Sequence, residues 1–139
     1  MAIKIVVATH GNFGKEIINS ASMLIGDISK ITSLSLMPGM SFEDFVNEAR
    51  DTLIKNKDEQ ILCFVDLFGG TPSNTMTALT REFQMNVITG LNLPMLIDAC
   101  LKIQSGETNL AKLTAEEHKA GQDSVVITNE KLEENNKNV

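Results

Sequence analysis

An α/β fold, an open and mainly parallel sheet of strand order 2-1-3-4 with helices on both faces, is predicted by three observations. Apolar runs alternate with amphipathic helical stretches along most of the chain, the pattern of successive βαβ units. The apolar runs are nearly continuous rather than alternating, as strands covered on both faces are. Two of them break into glycine-rich polar loops, Ala8-Thr9-His10-Gly11-Asn12-Phe13-Gly14 and Val65-Asp66-Leu67-Phe68-Gly69-Gly70-Thr71-Pro72-Ser73-Asn74. In a doubly wound sheet chemistry collects at the carboxyl ends of strands, where the strand order reverses.

The elements follow in order. Ile3 to Ala8 reads as a buried β1, and Ile17, Ile18, Ala21, Leu24 and Ile25 keep helical spacing in α1, from about Phe13 to the stop at Gly26. Ile31 to Leu36 is a shorter, more polar β2 suited to a sheet edge, punctuated by Pro38-Gly39. Ser41 caps α2, with Glu43 and Asp44 in its first turn and Phe42, Phe45, Val46, Ala49 and Leu53 on one face. Gln60 to Val65 is a central β3. Pro72, favoured in a first helical turn, opens α3, which carries Met76, Leu79 and Phe83 inward. Asn86 to Gly90 forms β4. Asn92 caps α4, with Pro94 in its first turn and Leu96, Ile97, Cys100 and Leu101 buried. A weaker helix, α5, covers Leu110 to Lys119 and ends at Gly121. Ser124 to Thr128 is a last short strand, expected to be exchanged between the subunits of a dimer. Residues 1–128 then form one domain and residues 129–139 a flexible polar tail.

Composition narrows the function. A chain of 139 residues is long enough for one substantial core. No apolar run approaches the ~18 residues that span a bilayer, and Thr9-His10-Gly11-Asn12 cuts the first one short, against a secretory signal. Cys63 and Cys100 lie in apolar surroundings without metal-ligand spacing and read as buried free thiols of a reducing cytosol. A net charge of −6 argues against nucleic acid as a partner. The lack of Trp and Tyr argues against stacking a flavin or a base.

The two loops leave β1 and β3, neighbours at the reversal, so His10 and Asp66 should meet. An imidazole offers one nitrogen as nucleophile only while the other holds the proton, and a carboxylate on the protonated nitrogen fixes that tautomer. Gly11 and Gly14 should clear space beside the ring. Gly11, Gly69, Thr71 and Ser73, with the N-termini of α1 and α3, should receive a phosphoryl group. Neither a carboxylate cluster for Mg²⁺ nor a glycine run ending in Lys is present, so no metal or other cofactor is expected and the phosphoryl donor should already be activated. His118, within Glu116-Glu117-His118-Lys119, reads as part of a solvated face. Met37, Met40 and Met95 read as gap-filling core more than as the rim of a site.

Four stretches carry a resemblance: Ile5-Val6-Val7-Ala8-Thr9-His10-Gly11, Met37-Pro38-Gly39, Phe64 to Asn74, and Thr89-Gly90-Leu91-Asn92-Leu93-Pro94-Met95-Leu96. In order and spacing the chain resembles the IIA component of the mannose-family (mannose, fructose, sorbose) phosphoenolpyruvate-dependent sugar phosphotransferase system. The resemblance implies that His10 takes a phosphoryl group from the phosphocarrier HPr and passes it to the IIB component. IIB in turn phosphorylates sugar arriving through the membrane components IIC and IID. It further implies that Asp66 orients the ring, that Thr71 sets a hydroxyl by the phosphoryl group, and that the protein is a homodimer. The protein would then be cytoplasmic, meeting the membrane through the transporter complex. The phosphotransfer subunit of dihydroxyacetone kinase has a related domain but usually lacks the Phe-Gly-Gly-Thr-Pro-Ser-Asn run. A response-regulator receiver would need paired acids after β1, where this chain has Thr9-His10. A purely regulatory role, with the phosphorylation state of His10 read by a partner, uses the same residues.

Overall fold

The computed structural model describes residues 1–137. Its elements are β1 (Ile3–His10), α1 (Phe13–Ile25), β2 (Thr32–Leu36), α2 (Phe42–Lys55), β3 (Gln60–Val65), α3 (Thr71–Leu79), β4 (Met85–Thr89), α4 (Leu93–Gln104), α5 (Leu110–Asp123) and α6 (Thr128–Lys137). The strands form one parallel sheet in the order β2-β1-β3-β4.

Strand periodicity builds the two cores. Ile5 and Val7 of β1 and Leu62 and Phe64 of β3 face α1, α4 and α5, packing with Ile18, Ala21, Leu96, Ala99 and Leu113. The alternate residues Val6, Ala8, Ile61, Cys63 and Val65 face α2 and α3, packing with Phe45, Ala49, Leu53, Met76 and Leu79. Every residue of β3 is buried, which is why Ile61 to Val65 reads as one unbroken apolar run. Cys63 and Cys100 are free, buried, and on opposite faces of the sheet. Burial pushes both thiols up, Cys100 to about 11. No helix among the described residues is long and apolar enough to cross a membrane.

Local chemistry sets the ends. The Ser41 hydroxyl accepts from the Asp44 N–H at 3.0 Å and Asn92 Oδ1 accepts from the Met95 N–H at 3.1 Å, so both predicted caps are present. Gly26 ends α1 at φ 79°. Strand β1 runs two residues past Ala8, because Thr9 and His10 still pair with Ser35 and Leu36 of β2. Helix α5 continues past Gly121 to Asp123. Gly121 serves close packing there, since a Cβ at that position would collide with the end of the Met95 side chain. Leu24, Phe42 and Leu101, expected on buried faces, are exposed.

The C-terminal region departs from expectation. Ser124 caps α5, Val125 to Ile127 pairs with no strand among the described residues, and Thr128 opens a helix where a loose tail is predicted. A strand needs a neighbour to hydrogen-bond, and this segment leaves the domain surface instead. Helix α6 buries none of its residues from Thr128 to Asn136, so local propensity and pairs such as Lys131–Glu134 at 3.5 Å hold it. Residues 138–139 of the predicted tail lie outside the described residues.

Candidate functional site

Parallel pairing of β1 with β3 brings Ala8 opposite Val65, so the loops that follow these strands emerge side by side. His10 closes β1 and Asp66 is the first residue after β3. His10 Nδ1 lies 2.9 Å from Asp66 Oδ2, and the same oxygen accepts from the His10 backbone N–H at 3.0 Å. The other oxygen, Oδ1, accepts from the Leu67 N–H at 3.1 Å. The carboxylate is thus fixed by two backbone donors before it meets the ring. Its side chain is 13% exposed against 47% for His10, so a sheltered group orients an accessible one. With Nδ1 engaged, Nε2 is the nitrogen left to react.

Space for the ring comes from Gly70 rather than from Gly11 or Gly14. A Cβ on Gly70 would sit 2.7 Å from His10 Cε1 and 3.2 Å from Nε2. Gly11 has open space around it and serves the backbone instead, turning the chain at φ 56° while its N–H donates to the Leu36 carbonyl at 2.8 Å. Gly14 lets α1 lie against β1, where a Cβ would crowd Val7 and Thr9. Gly69 turns at φ 90°, delivering Gly70 to the ring.

Two helix N-termini flank these loops. Asn12 makes no side-chain cap for α1; buried Thr9 does so from the strand, its Oγ1 accepting from the Gly14 N–H at 2.8 Å. In α3 the N-cap is Gly70, which has no side chain, and Pro72 has no N–H, so the Thr71 and Ser73 amides are the open donors of the first turn. Thr71 is half-buried at the helix start. Ser73 is 2% exposed, and the sequence expectation on it rests on its backbone amide in the open first turn of α3.

Apolar side chains stand exposed at the same end of the sheet. Phe13 opens α1, Met37 follows β2, Phe42 opens α2, and Leu67 and Phe68 follow β3; Phe68 is 85% exposed. A cavity of about 540 Å³, lined by Ile3, Ile5, Ile31 and Ile103, lies at the opposite end of the strands. His10, about half exposed, therefore stands on an open, apolar-rimmed surface at the other end of the strands from that cavity. His118 is exposed on α5, beside the outer edge of β4. Its neighbour Glu117 is fully buried, contrary to the solvated face expected of that run.

A family model described as PTS system fructose IIA component matches residues 4–117. The PTS system mannose-specific EIIAB component of Escherichia coli (strain K12) is 29% identical over 103 residues, covering 73% of this chain and 32% of that protein. The chain thus spans about a third of the length of that relative. The PTS system fructose-specific EIIA component of Bacillus subtilis (strain 168) is 28% identical over 98 residues, 69% of this chain and 67% of that one. Among solved structures, phosphotransferase system component EIIA from Streptococcus agalactiae is similar at a TM-score of 0.84 and 30% identity, covering 91% of this chain and 98% of the other. The mannose/sorbose specific IIA subunit from Enterococcus faecalis gives a TM-score of 0.82 at 28% identity, covering 91% and 95%.

Proposed function

The chain belongs to the mannose family of phosphotransferase-system IIA components, and from that premise we propose that His10 relays a phosphoryl group from phospho-HPr to a IIB component during sugar uptake. The observation that carries the reading is the 2.9 Å contact of His10 Nδ1 with Asp66, which leaves Nε2 free beside the N-terminus of α3. In the first step Nε2 attacks the phosphorus, a new N–P bond forms, and the N–P bond of the donor phosphohistidine breaks with its electron pair returning to the donor imidazole. Asp66 steadies the proton on Nδ1 and the positive charge that grows on the ring. The Thr71 hydroxyl, the Thr71 and Ser73 amides, and the open backbone at Gly69 receive the phosphoryl oxygens, whereas Gly11, expected to share in this, spends its N–H on the Leu36 carbonyl and shapes the turn instead. The second step reverses these roles with IIB as acceptor. Both partners are proteins, which suits a histidine on an open surface ringed by Phe13, Met37, Phe42, Leu67 and Phe68. The relay works in the cytoplasm, at the membrane only through IIC and IID.

Incubation with phosphoenolpyruvate, enzyme I and HPr should add the mass of one phosphoryl group, and addition of IIB should remove it. No mass gain would end the carrier reading. A phosphoryl group that stays after IIB is added would leave a sensor read by a partner.

A homodimer joined through the C-terminal segment belongs to the same proposal. Among the described residues strand β4 has a strand neighbour only on its β3 side, and a groove of about 500 Å³ runs along its outer edge between Asn86–Thr89 and Ala111, Thr114 and His118. Val125, Val126 and Ile127 are 80%, 48% and 62% exposed, an apolar β-branched run that suits such an edge. Deleting residues 125–139 should convert a dimer to a monomer by light scattering. A full-length chain already monomeric at micromolar concentration would refute the exchange and leave the His10 chemistry untouched.

A further inference from the structure

We propose that Glu117 is held as a neutral carboxylic acid donating a hydrogen bond to Asp98 across the α4–α5 contact, and that losing this proton unseats α5 together with the C-terminal segment it leads into. Glu117 is 0% exposed, and among the described residues neither of its oxygens receives a hydrogen bond. Lys102 Nζ is 3.4 Å from Oε1, but its 2.7 Å contacts go to Asp98 and Glu116. One ammonium therefore already serves two carboxylates. A third, buried and ionised, would lack donors and face like charge. With a proton on Glu117 the difficulty disappears, because the acid becomes a donor, and Asp98, which lies against the same Lys102 ammonium, accepts.

The surroundings agree. Asp98, Cys100 and Lys102 face Glu117 from α4, and Glu116 from α5 itself, where Glu116 is also tied to Lys112 at 3.8 Å. From β3 the same core takes Leu62 and Phe64, and Cys63 lies on the other face; β4 carries no titratable residue. Burial, and then Asp98, push the Glu117 carboxyl up from 4.5 to about 8. The same bond holds Asp98 below its ordinary range.

The mechanical consequence follows from helical phase. Gly121 lies one turn beyond Glu117 on the same face. There Asn92 Nδ2 donates to the Gly121 carbonyl at 3.1 Å and to Ser124 Oγ at 3.2 Å, and the α5 backbone closes on Met95. Immediately after Ser124 the chain leaves as the exposed run Val125–Ile127. A charge at Glu117 thus works against the last contacts that hold this segment. The latch is independent of phosphotransfer and would operate in a chain that carries no phosphoryl group.

The sign is fixed by linkage. A carboxyl whose proton is held more tightly when α5 is seated favours the seated state at low pH and loses that bias as pH rises to about 8. Each unit of difference in proton affinity changes the seated-to-unseated ratio tenfold. In the full chain with ¹³C-labelled glutamate, one side-chain carboxyl carbon should titrate near pH 8 and vanish from the spectrum of Glu117→Gln, which keeps a donor without the charge. Hydrogen exchange, corrected for base catalysis, should show the last turn of α5 losing at least about tenfold protection between roughly pH 7 and 9 in wild type. The Gln variant should change by less than about twofold over the same interval. All glutamates titrating in the ordinary carboxylate range, or equal loss of protection in both proteins, would overturn the latch. If Glu117→Gln fails to fold, the wild-type protection must fall with rising pH below the carboxyl's titration midpoint and level off above it; protection that stays flat up to that midpoint would equally overturn the latch.

Discussion

Replacing His10 by alanine is expected to abolish phosphoryl uptake from HPr while leaving the fold in place. The His10 side chain belongs to neither core and is about half exposed, so little apolar burial is lost. The backbone N–H of residue 10 remains to donate to Asp66 Oδ2, and Leu67 still donates to Oδ1, so the carboxylate stays anchored. What vanishes is the imidazole proposed to take the phosphoryl group. The other histidine does not replace it: His118 sits on α5 beside the β4 edge, and none of its hydrogen bonds to a carboxylate is seen among the described residues. Intact mass and the circular dichroism melt, measured on the same preparation, check both halves. Full labelling of His10→Ala, or phosphate mapped to His118, would refute the assignment.

The legibility of this site follows physical lines. Polar residues at the ends of two buried strands stand out in sequence, and sheet order alone makes neighbours of β1 and β3, so the pairing of His10 with Asp66 is legible in the sequence. The space around the ring is not. Which glycine faces His10 depends on how the Asp66–Thr71 loop folds over it, and the chain shows only that Gly69 and Gly70 suit a turn. Thr9 likewise looks like one more loop residue, although it is buried and caps α1 from the strand. Glu117 carried a signal that its neighbours hid. Leu110, Leu113, Glu117 and Gly121 fall on one helical stripe, and all four are buried, while the charges at Glu116 and Lys119 make the window read as solvent-facing. The C-terminal run differs again. A strand exists only with a partner, so Val125–Ile127 has β character in composition and no strand pairing in the single chain.

Asp66→Asn is expected to slow phosphoryl transfer by about a hundredfold, although the two side chains have nearly the same shape. In the native loop Oδ2 takes two donors from His10 and Oδ1 takes one from Leu67. An amide has only one oxygen. If that oxygen faces His10, the amide NH₂ meets the Leu67 N–H, two donors without an acceptor, and the charge that would stabilise the developing imidazolium is gone. If it faces Leu67, the NH₂ points at His10 Nδ1, drives the proton onto Nε2, and blocks the nucleophile. Either orientation weakens the loop and disarms the ring. Loss of the orienting carboxylate of a serine protease costs about 10⁴-fold in kcat; a phosphohistidine donor is already high in energy, so a smaller loss is expected here. Rapid-quench transfer from phospho-HPr reads the rate, and ¹⁵N shifts of the imidazole read the tautomer. The rate should fall without a matching rise in the HPr concentration needed for half-maximal transfer, because Asp66 is sheltered from a docking partner. A rate within about twofold of wild type, with Nδ1 still carrying the proton, would show that Asp66 supports the loop and does not tune the nucleophile.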